Sequence, residues 1–342
     1  MEILTPKEIF LANDIINHAT NVAVVSHYNP DGDAVGSALA LYIFFKNRNV
    51  NVNVILPNAL PDFLSWMPHS DAIVIAEENR QKAVEIIDHA DVLFVVDMNA
   101  AHRSGALLEP SIQHSKAKII LIDHHLYPEI DADIQLSTQQ TSSSSELVYD
   151  FLFKYLQYKE ELTKEIAECI YVGIMTDTGS LSYLCNQPQT YITLAKLIEC
   201  GVDGEQIHRN VYDNYSEARI RLLGLTLCER LTIIPEFSTS YMYLTQKDLL
   251  KCNYKRGDTE GFVNYGLAMK LIRFTAFFIE RNQRVRISFR SKGDFDVNHF
   301  AKTHFGGGGH KNASAAYYNG NLEDTISYFK KVLELYENDL KG

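Results

Sequence analysis

Acidic and imidazole side chains directly follow apolar or helical runs at several places in the chain. The segment HYNPDGDAVGSA, residues 27–38, contains one imidazole and two carboxylates, and Asp97 ends another run. LIDHH at residues 121–125 and TDTGS at residues 176–180 supply the remaining groups. Carboxylate oxygens with one or two imidazoles suit hard or borderline divalent ions such as Mn²⁺ or Mg²⁺. The candidate set is His27, Asp31, Asp33, Asp97, Asp123, His124, His125 and Asp177.

Short strands must position most of these side chains. The apolar runs 22–25, 92–96 and 118–122 have the length of buried strands and are separated by helical stretches. This alternation predicts βαβ units and a mainly parallel sheet flanked by helices, an α/β fold. In such sheets, ligands bind beyond the carboxyl ends of the strands. We therefore expect three of the four polar clusters along one sheet edge.

Each residue of the set also has a simpler interpretation. Asp31 or Asp33 could cap the helix that follows, and a lone Asp at a strand end is commonly a cap. The conjunction of four clusters favours a metal site over four separate caps. Zinc would commonly recruit Cys, and none of the five Cys lies near a motif. Two ions about 3.5–4 Å apart would activate water for attack on phosphorus, and Asp97, alone at its strand end, is the candidate bridge between them.

The remaining elements of the first part follow from local signals. Thr5-Pro6-Lys7-Glu8 has the form of a capping box and predicts a helix over 6–18. The Ser/Thr run 141–145 is interpreted as a loop and helix cap. Further strands are expected at 51–56 and 72–76, and helices at 34–48, 81–89, 146–156 and 164–175.

The composition changes near residue 230 from helical to strand-rich. We predict a metal-binding catalytic domain over 1–188, a helical connector over 189–229 and a smaller α+β domain with a mixed sheet over 230–342. Strands are expected in this domain at 231–234, 240–244, 272–280 and 284–290, an edge strand at 313–317, and helices at 296–303 and 322–336.

The strand 284–290 alternates strictly between basic or polar and apolar residues. In a strand, Val, Ile and Phe then face the core, and Arg and Ser face the other side. Arg284 is interpreted as an ordinary solvated residue, whereas Ser288 and Arg290 are candidates for phosphate binding. The glycine run 306–309 would let the backbone approach a phosphate, or it could be a flexible turn.

The bulk properties predict a cytoplasmic protein with small ligands. The formal net charge of −11 argues against broad binding of long nucleic acids. Five scattered Cys without a CxxC pair suit reduced thiols. The sequence shows no signal-peptide pattern and no run of roughly 20 apolar residues that would span a membrane.

Five ordered motifs resemble those of the DHH phosphoesterases that carry a DHH-associated C-terminal domain. They are HYNPDGDAVGSA, the Asp97 strand end followed by Arg103, LIDHH, TDTGS and FGGGGH at residues 305–310. They span about residues 20–320. The length and the lack of extra domains are most similar to the bifunctional oligoribonuclease and pAp phosphatase group. One departure from the family pattern is Ala315, at a position where relatives often have Gly. This difference affects the detailed packing expected of the glycine loop.

The resemblance implies roles for individual residues. One Mn²⁺ would be held by His27, Asp31 and Asp97, and the other by Asp33, Asp97, His124 and Asp177. Asp123 would orient an imidazole, and His125 would contact the scissile phosphate or position a proton donor. Arg103 would bind phosphate, or it could pair with a surface acid. In the second domain the substrate would contact Ser288, Arg290, Gly307, Gly308, Gly309 and His310.

The implied activity is hydrolysis of short oligonucleotides to mononucleotides, and of 3′-phosphoadenosine 5′-phosphate (pAp) to AMP. Two divalent ions would take part, and Mn²⁺ is preferred to Mg²⁺ as their identity. Closure of the two domains would exclude water from the site. The resemblance also implies a homodimer, and it implies no role for long duplex nucleic acids or membranes. The alternatives are a cyclic or linear dinucleotide phosphodiesterase, a manganese pyrophosphatase, and a non-catalytic nucleotide sensor. SFRS and FGGGGH disfavour the pyrophosphatase, because pyrophosphate has no base or sugar to bind. A sensor would be expected to lack some of the metal ligands.

Overall fold

The computed structural model divides the chain into two units, residues 1–214 and 215–342. It describes residues 3–213, 215–255, 257–281 and 284–340. Among these residues, no helix is long and apolar enough to cross a membrane.

Six parallel strands form the sheet of the first unit, in the order β3-β2-β1-β4-β5-β6. They are β1 (Asn21–Val25), β2 (Asn51–Leu56), β3 (Val74–Ile75), β4 (Val92–Val96), β5 (Lys118–Asp123) and β6 (Ile134–Ser137). The predicted parallel α/β sheet is confirmed, and β6 is an addition that the sequence analysis missed. Strand order reverses between β1 and β4, so the loops after these strands diverge and leave room for a site.

Helices cover both faces of this sheet. They are α1 (Pro6–His18), α2 (Gly32–Asn47), α3 (Arg80–Asp88), α4 (Glu109–Gln113), α5 (Ser144–Tyr149), α6 (Lys164–Asp177), α7 (Pro188–Glu199) and α8 (Gly204–Tyr212), with a π-helical segment, Asp150–Tyr155, after α5. Side chains of β1 alternate between the two cores, because Val22 and Val24 pack on one face and Ala23 and Val25 on the other. The predicted capping box at Thr5 is present, since its hydroxyl accepts from the Glu8 N–H and its own N–H donates to the Glu8 carboxylate.

Glycines line the contact between helices α2 and α6 and permit their close approach. A Cβ atom at Gly36 would collide with the Cys169 carbonyl oxygen. One at Gly173 would collide with the Ser145 side chain and lie 2.8 Å from Asp33 Oδ1. The close approach brings the first turn of α2 toward the carboxyl end of α6.

The second unit is built on a mixed six-stranded sheet in the order β11-β12-β10-β9-β8-β7. Its strands are β7 (Leu231–Ile234), β8 (Thr239–Leu244), β9 (Phe274–Arg281), β10 (Arg284–Ser291), β11 (Gly308–His310) and β12 (Ala313–Asn319). Among the described strands of this second sheet, only β8 and β9 pair in parallel, and the other neighbours are antiparallel. The predicted mixed sheet is confirmed. The expectation that residues 313–317 form an edge strand is wrong, because the glycine run folds into β11 and covers that edge.

Two groups of helices cover the second sheet. They are α9 (Glu217–Glu229), α10 (Gln246–Lys251), α11 (Phe262–Leu267), α12 (Val297–Phe305), α13 (Leu322–Leu333) and α14 (Glu337–Leu340). The face with α12 and α13 holds an aromatic core that includes Phe274, Phe289 and Phe300. Of the region predicted as a connector, α7 and α8 lie in the first unit and α9 in the second.

Candidate metal centre and substrate face

The loops after β1, β4 and β5 and the carboxyl end of α6 converge in the first unit. Potential ligand atoms lie within 4.8 Å of one another in three groups there. The groups are His27, Asp31 and Asp97; Asp33, His124 and Asp177; and Asp97, Asp123 and His125. The structure thus brings together every first-unit residue that the sequence analysis assigned to metal binding.

Asp97 occupies the middle of the cluster. Its backbone φ is +55°, in the left-handed region that residues other than glycine seldom adopt. Its N–H still donates to the carbonyl of Ile122 on β5. One carboxylate oxygen, Oδ2, lies 3.2 Å from His27 Nε2, and the other, Oδ1, lies 3.4 Å from His124 Nε2. Each oxygen of Asp97 therefore faces a different imidazole.

Asp31 and Asp33 have separate tasks at the start of α2. Asp31 caps the helix, because its Oδ1 accepts from the N–H groups of Asp33 and Ala34 at 3.0 and 3.1 Å. The simpler interpretation of Asp31 as a cap is therefore correct, and the same carboxylate also belongs to a ligand group. Asp33 points into the cluster, where its Oδ2 lies 3.8 Å from His124 Nε2.

The serine run before α5 contributes to the site, which the sequence analysis missed. The N–H groups of Ser144 and Ser145 donate to the two carboxylate oxygens of Asp33 at 2.7 and 2.8 Å. The Ser144 hydroxyl donates to Asp97 Oδ1 at 3.0 Å. Ser143 caps α5, as expected for this run. Five consecutive small hydroxyl residues immediately before a helix were the available signal, because such a segment can present both N–H and O–H donors to carboxylates.

Asp123 and His125 form a tight pair beside the cluster. Asp123 Oδ1 lies 2.7 Å from His125 Nδ1, and Asp123 Oδ2 accepts from the His125 backbone N–H at 3.1 Å. The two contacts fix the plane of the ring and favour the tautomer with hydrogen on Nδ1. Burial and repulsion from Arg103 lower the pKa of His125 well below its usual range, so the ring is neutral at pH 7.

The electrostatics of the cluster favour a bound cation. Burial and the charges of Asp97 and Asp177 raise the pKa of Asp33 well above its usual range. Burial opposes the charge on His124, but the neighbouring carboxylates raise its pKa to about 10. Burial also opposes ionisation of Asp97, yet hydrogen bonds with His124 and His27 hold its pKa well below its usual range. Protons thus offset buried negative charge, and a divalent cation can take their place.

The donor set fits two hard or borderline divalent ions. Oxygen ligands dominate, the imidazoles are few, and one carboxylate has an oxygen toward each side. No Cys belongs to the ligand groups found among the described residues.

Arg103 lies close to the cluster without belonging to a ligand group. It is half-buried, its carbonyl accepts from the Tyr28 N–H at 2.7 Å, and its Nη1 donates to Asn99 Oδ1 at 3.4 Å. Its charge lowers the pKa of His125 and opposes the net rise in the pKa of His27. A guanidinium in this position can attract an anionic group of a substrate.

The substrate-binding candidates of the second unit share one face of its sheet. Ser288 on β10, Ala315 on β12 and Gly308 on β11 are register partners, as are Arg290, Ala313 and His310. Residues directly opposite on neighbouring strands point to the same face. Val285, Ile287 and Phe289 are fully buried on the other face, as the alternation predicted.

Two of the glycines serve packing, and their N–H groups are engaged within the unit. The Gly307 N–H donates to the Ala301 carbonyl at 3.1 Å, and the Gly309 N–H donates to Asn298 Oδ1 at 3.0 Å. A Cβ at Gly307 would lie 2.6 Å from the Cβ of Ala316. The absence of a Cβ at Gly307 and Gly309 permits close contact with β12, and both of their N–H groups already donate within the unit.

A parallel sheet whose strand ends carry this acid and imidazole cluster, followed by a mixed-sheet unit, defines a class of protein. The N-terminal domain of the DHH family matches residues 21–174, and the DHHA1 domain matches residues 239–335. The chain belongs to the DHH family of phosphoesterases, which confirms the resemblance found in the sequence.

Particular relatives match over most of the chain. The probable bifunctional oligoribonuclease and PAP phosphatase NrnA of Streptococcus mutans is 27% identical over 92% of this chain and 95% of its own. The Bacillus subtilis protein named bifunctional oligoribonuclease and PAP phosphatase NrnA is 25% identical over 85% of this chain and 87% of its own. A crystal structure of an exopolyphosphatase-related protein from Bacteroides fragilis is 38% identical, covers all of both chains and superposes with a TM-score of 0.95.

Proposed function

We propose that this chain hydrolyses short oligoribonucleotides to mononucleotides and pAp to AMP, with two divalent metal ions. The observation that carries the proposal is the position of Asp97, whose two oxygens face His27 and His124 within a cluster rich in carboxylates. The names of the Streptococcus and Bacillus relatives support the choice of substrates.

We assign the chemistry to residues 1–188 and substrate recognition to residues 230–342, joined by the helical region 189–229. The first assignment is supported by the three ligand groups described above, whose residues all lie in the first unit. The second is supported by the polar face that Ser288 and Arg290 share.

Mn²⁺ is the proposed ion, with Mg²⁺ as the alternative. One ion would take His27, Asp31 and Asp97, and the other would take Asp33, Asp97, His124 and Asp177. When bound, such a pair supplies Lewis acidity and lowers the pKa of water. The protein contributes fixed ligands, because Ser144 and Ser145 hold Asp33 and Asp97 in place before any ion arrives.

Asp123 and His125 are proposed to act on the substrate phosphate. Asp123 holds the ring by two contacts, so the neutral imidazole presents a fixed edge to a phosphoryl oxygen or to a water. Arg103 would bind a phosphate oxygen and offset part of its charge. In the second unit, Ser288, Arg290 and His310 would bind the terminal phosphate and sugar of the nucleotide. Gly308, which is on the same face as Ser288, would leave room for it there, and Gly307 and Gly309 would hold the strand close to its neighbour.

Two properties follow from composition as part of this proposal. The reduced state expected of five scattered Cys supports a cytoplasmic location. The strongly negative net charge of −11 supports short rather than long nucleic acids as substrates.

The test is phosphate and mononucleotide release by the full chain with Mn²⁺ against an EDTA control. The substrate panel holds a 5′-phosphorylated RNA dinucleotide, pAp, cyclic di-AMP, pyrophosphate and polyphosphate. We expect EDTA-sensitive cleavage of the dinucleotide and of pAp. Cleavage of pyrophosphate or polyphosphate alone would overturn the proposal, and so would tight nucleotide binding without turnover, which would indicate a sensor.

A further inference from the structure

Three arginines and a tyrosine converge on the second unit at a place that the proposed function does not use. Arg281, Arg284, Arg286 and Tyr317 line a cavity of about 480 Å³, called here the arginine pocket. Its size is within the range of small-molecule sites. It lies at one end of the β9–β10 pair, where β12 joins the sheet.

Strand register places these side chains on one face. Arg284 pairs with Arg281 across β10 and β9, and Arg286 pairs with Tyr317 across β10 and β12. Arg286 and Arg290 are four residues apart on β10, so both point to the face that carries Ser288 and His310. Four residues of strand span about 13 Å. The arginine pocket and the proposed terminal-nucleotide site are two ends of one surface.

The arginines of this pocket have no acidic partner in the part of the chain that the structure describes. None of the arginine ion pairs found in the described part of the chain includes Arg281, Arg284 or Arg286. Arg281 Nε is buried and makes no hydrogen bond, and its guanidinium lies 4.7 Å from the ring centre of Tyr254. Burial and the nearby charge of Arg286 lower the pKa of Arg281. The Arg281 guanidinium also donates to the Tyr254 hydroxyl. Because like charges repel, three neighbouring arginines without acidic partners favour an anion bound between them.

Tyr317 supplies an aromatic surface next to these charges. Its side chain is 57% exposed, which is high for a tyrosine in a strand with a neighbour on each side. Bases stack on exposed aromatic rings regardless of sequence, and arginine forks bind phosphate bidentately. The combination therefore fits a nucleotide better than it fits a simple anion.

We propose that the arginine pocket binds an internal phosphate of an oligonucleotide, with Tyr317 stacking on the adjacent base. A stacked strand rises about 3.4 Å per nucleotide, so roughly 13 Å corresponds to about four steps. A hexanucleotide whose end lies at Arg290 reaches the pocket, whereas a dinucleotide and pAp do not. The pocket thus extends the range of substrate lengths, an inference that rests on the proposed function.

The experiment compares kcat/KM for a 5′-phosphorylated RNA hexanucleotide and the corresponding dinucleotide, using the full chain with Mn²⁺. The variants are Arg284→Ala with Arg286→Ala, and Tyr317→Ala beside Tyr317→Phe. The matched control is Lys330→Ala with Lys331→Ala. It removes the same charge from exposed positions of α13, which packs on the opposite face of the sheet.

We expect the double arginine variant to lose about tenfold in kcat/KM for the hexanucleotide, through KM, and less than twofold for the dinucleotide. Tyr317→Ala should lose about fivefold for the hexanucleotide, and Tyr317→Phe should retain wild-type values because stacking needs only the ring. For hexanucleotide binding in EDTA, the slope of log Kd against log salt should fall by about 0.7 or more in the double variant. The control should match the wild type in every assay.

An unchanged ratio between the two substrates in the double arginine variant would overturn this inference. An equal loss on both substrates would overturn it as well, because the effect would then be on the terminal-nucleotide site or on folding. The two proposals fail separately. Absence of any nucleotide cleavage by the wild type contradicts the proposed function. A preference for substrate length that stays the same when Arg284, Arg286 and Tyr317 are replaced contradicts only the proposed role of the arginine pocket.

Discussion

Oδ1 of Asp97 lies 3.4 Å from Nε2 of His124, although the two residues end different strands of the sheet. The backbone of Asp97 is left-handed, and the Ser144 hydroxyl donates to the same carboxylate oxygen. The strained backbone is therefore offset by contacts that fix one orientation of the carboxylate. That orientation makes Asp97 the centre of the site.

Replacement of Asp97 by Asn should reduce turnover of the dinucleotide and of pAp by at least about a thousandfold. The amide keeps the shape but replaces one anionic oxygen, so it cannot serve two cations as a carboxylate does. Steady-state kinetics at saturating Mn²⁺ tests this. Asp294→Asn is the matched control, since Asp294 is exposed and forms a surface ion pair with Lys311. Full activity of Asp97→Asn would refute the ligand assignment.

Replacement of Asp123 by Asn should have a different signature. Asp123 touches His125 rather than the two imidazoles nearest Asp97, so Mn²⁺ affinity should change less than activity. Loss of the group that orients the ring should lower kcat by about tenfold to a hundredfold. Parallel isothermal titration with Mn²⁺ and kinetic assays separate the two effects. A loss of metal binding equal to that of Asp97→Asn would show that Asp123 is itself a ligand.

Stabilisation by Mn²⁺ should increase with pH. In the folded protein the pKa of His124 is raised to about 10, so the proton held there stabilises the fold fully below the unfolded pKa near 6.5. This contribution declines as pH rises from about 6.5 toward 10, and Mn²⁺ competes better as the proton is lost. Asp97 is ionised in both the folded and the unfolded protein throughout this pH range, because its pKa is lowered in the folded state. It therefore adds no pH dependence to the free energy of unfolding.

The measurement is thermal unfolding of EDTA-treated protein with and without Mn²⁺ at pH 6 and pH 8.5. We expect the shift in Tm caused by Mn²⁺ to be larger at pH 8.5. A shift that is larger at pH 6 would contradict the assigned proton on His124.

Replacement of Gly173 by Ala should destabilise the protein and weaken the site together. The added methyl group would collide with Ser145 and approach Asp33 Oδ1 to 2.8 Å, so α2 and α6 would have to separate. Overpacking of this kind costs about 1–3 kcal/mol of unfolding free energy. Gly224→Ala is the matched control, because no atom lies within 4 Å of a Cβ added there and Ala favours the helix by about 0.5–1 kcal/mol. Urea unfolding should give opposite signs for the two variants, and equal effects would contradict the packing argument.

The sequence predicted the strands and loops of the site because short apolar runs and turn residues are local signals. Local sequence signals were enough to predict the strand at residues 22–25, the loop that ends at Asp33 and the helix cap at Asp31. The contact of Ser144 with Asp97 could not, because it joins positions 47 apart in sequence. A serine run before a helix predicts a cap equally well whether or not a buried carboxylate lies opposite.

The glycine run shows a second limit. FGGGGH identified a region that tolerates close approach, but the strand β11 depends on pairing with β12 and not on propensity. Likewise, Arg284 has the appearance of a solvated residue in the sequence, and only the register of β9, β10 and β12 places it across from Arg281 and on the same face as Tyr317. Cross-strand partners are not encoded by any local pattern.

The central claim is that Asp97 is shared by two divalent ions, and electron paramagnetic resonance of the Mn²⁺-loaded protein tests it most directly. Two ions about 3.5–4 Å apart with a common carboxylate give an exchange-coupled spectrum. We predict that signal in the wild type at two Mn²⁺ per chain, and its loss in Asp97→Asn. A single uncoupled Mn²⁺ in the saturated wild-type protein would contradict the account.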